Sequence, residues 1–189
     1  MATSETAPRL VFRTAREEDA AAIREIFNQA VEDHLATFEA EPRSLEEQRC
    51  LIAEAAANPK FLLLVAELRG WVLGWITIQP WDRPAALDGI GELSLYVLRS
   101  FRQYGVGKQL MQHAQKEAQS LGYRKLLGHV LAGSRESLAL CRSTGWREVG
   151  RLEKHVRAGE QCRDVVLVEY LVPPGPPAPP SSHLSPAEV

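Results

Sequence analysis

Ile90-Gly-Glu-Leu-Ser-Leu-Tyr-Val97, followed by Leu98-Arg-Ser-Phe-Arg-Gln-Tyr-Gly-Val-Gly-Lys108 and a helical run to Leu121, is the stretch on which the fold turns. Its first part alternates in polarity, as a strand does when its two faces meet different surroundings. Its last part carries Val106, Leu110, Ala114, Ala118 and Leu121 at the spacing of one helix face. Between them, Gly105 and Gly107 stand where the chain leaves the strand and enters the helix. Such an entry aims unpaired backbone N–H groups and the positive end of the helix dipole at one point, and that point binds phosphate.

Working outward, Arg9 to Arg13 reads as a first strand. Thr14 to Asp19 is a polar, acidic helix entry, after which Ala22, Ile23, Ile26, Phe27 and Ala30 recur at helical spacing. Ser44-Leu-Glu-Glu47 is a capping box that opens a second helix, and Asn58-Pro59 closes it. Phe61 to Leu68 and Trp71 to Gln79, joined by Arg69-Gly70, read as an antiparallel hairpin, with a loop from Pro80 to Gly89. Beyond the glycine loop and its helix, Gly122 suits a C′ position, Lys125 to Val130 a strand, and Ser134 the N-cap of a short helix that ends before Gly145. Trp146 to Leu152 and Asp164 to Leu171 are the last two strands. A hairpin ahead of a strand–helix–strand unit makes this an α+β domain with a mixed central sheet and flanking helices.

The domain is expected over residues 9–172, with a flexible stretch at 1–8 and a disordered tail at 173–189, where seven of the twelve prolines fall. The 22 basic and 24 acidic residues leave a formal net charge of −2, which gives no sign of a nucleic-acid or anionic-membrane partner. The longest apolar run, Phe61 to Ala66, is far too short to span a bilayer, and the first residues lack a secretory pattern. Cys50, Cys141 and Cys162 are odd in number and widely spaced, as expected of reduced thiols in a cytoplasmic protein, and His34, His113, His129, His155 and His183 show no metal-ligand or triad spacing. Trp71, Trp75 and Trp81, on or beside the hairpin, are expected to pack in the core and interfaces.

Three phosphate-loop chemistries compete at Arg102 to Lys108. A Walker loop needs Ser or Thr after Gly-Lys and a glycine five residues upstream, but Gln109 follows Lys108 and Arg102 stands upstream. A dinucleotide loop needs a third glycine where Leu110 stands. What remains is Arg-x-x-Gly-x-Gly between strand and helix, which resembles the signature of the GNAT acyltransferase superfamily. Three other blocks are similar to the phosphinothricin-type amino-acid N-acetyltransferases of that superfamily. They are Glu92-x-Ser94-x-Tyr96-Val97, Ala36-Thr37-Phe38-Glu39, and Ser137-x-x-Leu140 followed by Gly145-Trp146. The resemblance runs from about Leu10 to Leu171.

The resemblance implies a GNAT fold and an acetyl-CoA-dependent N-acetyltransferase acting on a small amine, as a homodimer. Backbone groups of Leu95, Tyr96 and Val97 would pair with the pantetheine arm. Arg102, Gln103, Tyr104, Gly105, Val106, Gly107 and Lys108 would hold the pyrophosphate, and Ser134 takes the position of an asparagine beside the cofactor. A backbone N–H of the central strand would stabilise the oxyanion. An alkyl amine is ammonium at neutral pH and must lose a proton before it attacks, and Glu92, at the start of the strand that would carry the thioester, is the candidate general base; a strand-end carboxylate that is solvated or paired with an arginine is the alternative. Cys141 stands where relatives place Tyr or His to protonate the leaving thiolate; a small buried hydrophobe on a helix is the alternative.

On the acceptor side the resemblance places Phe38, Glu39 and Arg83. Arg83-Pro84-Ala85-Ala86 replaces the Arg-x-Ala-Tyr of relatives, and Arg83 reads either as a carboxylate clamp or as an exposed loop arginine. Cys162 and Ala158 replace a Trp and a Lys ahead of Asp164-Val165. The cofactor side is thus closer to the family than the acceptor side, which implies a different or broader amine substrate. Two other readings stay open: a GNAT module that binds acyl-CoA without turnover, and an acetyltransferase of protein N-termini or lysines.

Overall fold

A computed structural model describes residues 9–33, 41–81, 85–158 and 161–174. Strands are β1 (Val11–Thr14), β2 (Leu62–Leu68), β3 (Trp71–Pro80), β4 (Ile90–Val97), β5 (Lys125–Leu131), β6 (Arg147–Ala158) and β7 (Gln161–Leu171); helices are α1 (Ala20–Glu32), α2 (Leu45–Ala57), α3 (Val106–Ser120) and α4 (Arg135–Ser143). The strands form one sheet in the order β1-β2-β3-β4-β5-β7-β6. All neighbours are antiparallel except β4 and β5, which are joined through helix α3 and run parallel. The mixed α+β sheet expected from the sequence is the observed one.

The sheet buries side chains on both faces, so β2 and β3 read as near-continuous apolar runs. One face meets α3 and α4 through Leu64, Ile76, Ile78, Leu93, Leu110 and Ala114. The other meets α1 and α2 through Ile23, Phe27, Leu63, Val65 and Trp75. Neighbours in β2 fall in opposite cores because successive side chains point to opposite sides. On the α1/α2 face, Trp75 lies across from Tyr96 in the β3–β4 register, with ring centroids 4.5 Å apart. Such a cross-strand aromatic pair contributes about 0.5–1.5 kcal/mol beyond its buried area.

Local chemistry accounts for the ends of the helices. Ser44 Oγ accepts the Glu47 N–H at 3.2 Å, and the Glu47 carboxylate accepts the Ser44 N–H at 2.6 Å, closing the capping box. Ahead of α1, Glu17–Asp19 forms a single 3-10 turn, held by the Asp19 carboxylate, which accepts from the Arg16 N–H at 2.7 Å and from Arg13 at 2.7 and 2.9 Å. Gly122 and Gly145 follow their helices with φ of 80° and 84°.

Several boundaries differ from expectation. The first strand starts at Val11. The last two strands extend to Ala158 and back from Gln161, because bulges between Glu148 and Gly150 and between Leu152 and Val156 let the pairing continue where apolar alternation stops. Trp75 is buried but Trp71, on the turn side of the hairpin, is 76% exposed and packs in no core. His113 stacks on Phe12 at 4.8 Å, a structural role. The three cysteines are free thiols, with Cys50 and Cys162 exposed and Cys141 buried. The stretch expected as a flexible start (1–8) and all but the first two residues of the tail expected at 173–189 lie outside the described residues, as do Ala36-Thr37-Phe38-Glu39 and Arg83.

Candidate active site

The β4–β5 ladder holds for only three pairs, Ile90 with Lys125, Gly91 with Leu126 and Glu92 with Leu127. Beyond Glu92 the two strands part, while β4 stays paired with β3 as far as Val97. Among the described residues no strand pairs with the β5-facing edge of Leu93 to Val97. A cavity of about 290 Å³ lies at this fork. Leu95, Leu140 and Cys141 line it from the α3/α4 side, and Glu92, Tyr96, His129 and Arg43 from the α1/α2 side. Residues of both sheet faces therefore meet in one cavity that passes through the sheet. Two reactants approaching from opposite faces could meet there.

At the β4 end of the α3/α4 side lies the glycine loop. Gln103 and Gly105 both take left-handed backbone, with φ of 67° and 81°. Glycine adopts that geometry freely, whereas Gln103 is strained there, a cost of about 1–2 kcal/mol. The first helical bond runs from the Gln109 N–H to the Gly105 carbonyl at 3.1 Å, and no side chain caps the helix. The N–H groups of Val106, Gly107 and Lys108 thus have no intrahelical acceptor. Gly107 permits a close approach: a Cβ there would lie 3.4 Å from Leu140 and Val97 and 3.5 Å from Leu95. These residues fit a pyrophosphate followed by a thin amide-bearing arm along an unpaired strand edge.

Arg102 takes no direct part in that cradle. Its Nε donates to the Val97 carbonyl at 3.2 Å and its Nη1 to Asp33 at 2.5 Å. Arg99 meets the same Asp33 carboxylate at 2.7 Å. The hydrogen bond from Arg99, opposed by desolvation and aided by Arg102, holds Asp33 below the usual carboxylate range. The reason is geometric: the guanidinium is drawn back to the end of α1, so it anchors the loop and ties it to the α1/α2 side. Tyr104, at 77% exposure, stands at the outer rim.

Glu92 lies at the apex of the fork, its Oε1 2.8 Å from His129 Nδ1. The imidazole in turn stacks on Trp81, 17° from parallel with centroids 6.3 Å apart. Cys141 lines the cavity from α4, and burial pushes its thiol up to about 11, so it keeps its proton through the neutral range. Ser134 stands at the α4 N-cap but its hydroxyl donates to Ser137 at 2.8 Å instead of capping. It lines a neighbouring pocket with Arg151, Cys162 and Asp164, and Ser137 is the residue that reaches the main cavity.

A family model described as Acetyltransferase (GNAT) family matches residues 22–146. This chain belongs to the GNAT acetyltransferase family. The phosphinothricin N-acetyltransferase of Streptomyces viridochromogenes is 26% identical over 140 residues, 74% of this chain and 75% of that one. The L-methionine sulfoximine/L-methionine sulfone acetyltransferase of Pseudomonas aeruginosa is 25% identical over 167 residues, 88% of this chain and 97% of that one. A solved structure from Brucella melitensis, described as a ribosomal-protein-alanine N-acetyltransferase, aligns with a TM-score of 0.81 at 29% identity, covering 85% of this chain and 99% of that one. As a GNAT acetyltransferase, the protein uses acetyl-CoA as its co-substrate.

Sequence reasoning missed two residues in this GNAT site. His129 gave no motif, because its partner lies 37 residues away and only strand adjacency joins them. Arg43 lies between two segments of interest, yet its guanidinium sits over the Phe27 ring, 4.4 Å from the centroid, and lines the cavity. Its backbone is pinned by Asn28, whose side chain bonds both the Arg43 N–H and carbonyl, at 2.9 and 3.1 Å. No helix among the described residues is long and apolar enough to cross a membrane.

Proposed function

We propose that the protein transfers the acetyl group of acetyl-CoA to the amine of a small amino acid or amino-acid analogue of the phosphinothricin type. The observation that carries this reading is the cavity through the sheet at the β4–β5 fork, with an uncapped helix N-terminus on one side and Glu92 with Arg43 on the other. The loop N–H groups of Gln103 to Lys108 hold the pyrophosphate, and the open β4 edge at Leu95 to Val97 receives the pantetheine amides. Acetyl-CoA supplies an activated thioester carbonyl.

Glu92 takes the proton that the acceptor ammonium must lose, directly or through a water. The freed amine nitrogen then forms the C–N bond as the C–S bond breaks, the nitrogen gives up its second proton to solvent, and the departing sulfur is protonated. Cys141 donates a hydrogen bond to that sulfur; solvent supplies the net proton, because a thiol held neutral by burial is a weak donor and not an efficient acid. Arg43 is a cation lining the acceptor side of the cavity and pairs with the carboxylate or phosphinate of the substrate. This favours amino-acid acceptors over polyamines, which an arginine would repel. The homodimer implied by the resemblance and the cytoplasmic location expected from the cysteines belong to the same proposal.

The test is release of CoA thiol with acetyl-CoA and a panel of free amino acids, methionine sulfoximine, phosphinothricin, polyamines and alanine-initiated peptides. Turnover is expected with the acid-bearing small amines. Turnover only with peptides would move the assignment to protein N-termini, and none with any acceptor would leave a binding module.

A further inference from the structure

The contact between Glu92 and His129 is required by neither the strand ladder nor the core. Glu92 is the last β4 residue paired with β5, opposite Leu127, and His129 lies two residues farther along β5 on the same face. Their 2.8 Å hydrogen bond therefore bridges the strands at the point where they part. It joins a side chain that is 44% exposed to one that is only 20% exposed. The less exposed partner is itself braced, because Trp81 stacks against the imidazole and the Trp81 main-chain N–H donates to the Ile90 carbonyl at 2.9 Å. A path of fixed contacts thus runs from the β4 backbone through Trp81 and His129 to the Glu92 carboxylate.

The chemistry of the two groups sets the direction of the bond. An ionised carboxylate can only accept, so Nδ1 carries the hydrogen and donates to Oε1. One oxygen of Glu92 is then committed and the other, Oε2, is left to meet a proton. A glutamate on a half-exposed strand would otherwise sample several rotamers, and a base that must be found among rotamers is slower than one held in place.

We infer that His129 is the positioning residue for Glu92, fixing Oε1 through Nδ1–H so that Oε2 is presented to the acceptor amine or its bridging water. This rests on the reading of Glu92 as the base. In that arrangement the proton passes from the ammonium to Oε2 and on to solvent, while His129 keeps its own proton throughout.

The test is a double-mutant cycle on the full chain with the best acceptor from the panel above. His129→Ala should lower kcat by about 10- to 100-fold with the acetyl-CoA KM within about twofold, the size of effect that misplacing a catalytic group produces. His129→Asn, whose amide nitrogen reproduces the Nδ1 position, should recover most of that loss. In the Glu92→Gln background, His129→Ala should cause no further loss. A readout independent of turnover is the imidazole tautomer by nitrogen NMR in protein without acetyl-CoA: Nδ1–H in the wild type, and loss of that preference in Glu92→Ala. If Glu92→Gln abolishes turnover while His129→Ala leaves kcat intact, the inference is wrong and the base assignment stands. An Asn variant as slow as the Ala variant, or losses that add in the cycle, would also overturn it. If Glu92→Gln leaves turnover unchanged, the base assignment itself fails and this inference falls with it.

Discussion

Gly107→Ala should move stability and cofactor affinity in opposite directions. Gly107 is the second residue of α3 and its φ is outside the left-handed region, so alanine fits the backbone without strain. Its added Cβ would meet Leu140 and Val97 at 3.4 Å and Leu95 at 3.5 Å, the near edge of ordinary contact. Replacing glycine by alanine in a helix is worth up to about 1 kcal/mol, which in a domain of this size raises Tm by about 2–4 °C. The same methyl lies against Leu95 and Leu140, both lining the cavity, and fills the close approach that the glycine leaves open. Displacing a phosphate from one loop N–H forfeits a charge-assisted hydrogen bond of about 1.5–3 kcal/mol, or about 10- to 100-fold in Kd. Calorimetric titration with acetyl-CoA and a thermal melt of the free protein read the two effects separately. A variant that is stabilised yet binds acetyl-CoA as tightly as the wild type would refute the assignment of this loop as the pyrophosphate cradle.

Other consequences concern single groups. Burial pushes the Cys141 thiol up from 9.0 to about 11, so the unfolded chain gives up this proton first as pH rises. Its contribution to stability is therefore constant through the neutral range and falls between about pH 9 and 11, where Cys141→Ala should flatten the pH dependence of urea unfolding. In mass spectrometry after brief alkylation at pH 8, Cys50 and Cys162 should be modified and Cys141 spared; equal labelling would contradict its burial. Asp19 is raised by desolvation, but the Arg13 hydrogen bonds, the Arg16 N–H and the Arg13 charge outweigh that and hold it below the usual carboxylate range. The unfolded carboxyl thus protonates first as pH falls, so stability present at neutral pH is lost progressively below the ordinary carboxylate range. Asp19→Asn should cost about 1–3 kcal/mol at pH 7 and lessen the loss on acidification.

The parts of this fold legible in the sequence are those fixed by neighbours in the chain. The Ser44–Glu47 capping box, the Arg69-Gly70 hairpin and the glycines at 105, 122 and 145 each impose local geometry whatever surrounds them, and each is found where the pattern puts it. Bulges disrupt the alternation of the long β6–β7 hairpin, which therefore extends beyond its apolar pattern. Ser134 has the residue type of an N-cap, yet its hydroxyl donates a hydrogen bond to the Ser137 hydroxyl. Arg102 belongs to the loop motif by position, while its guanidinium answers to Asp33 at the end of α1. The Glu92–His129 bond and the Arg43–Phe27 stack depend on which strands and helices become neighbours, and nothing within a few residues of either member announces its partner.

The central claim is that the glycine loop and the cavity at the β4–β5 fork together hold acetyl-CoA and that Glu92 prepares the amine beside its thioester. The most direct measurement pairs calorimetric binding of acetyl-CoA with steady-state thiol release for the wild type and Glu92→Gln. The account predicts a variant whose acetyl-CoA affinity stays within about threefold of the wild type while kcat falls by about 10²-fold or more, the usual size of a general-base contribution. A Glu92→Gln protein that turns over at the wild-type rate, or one whose loss of activity follows a loss of acetyl-CoA binding, would contradict it.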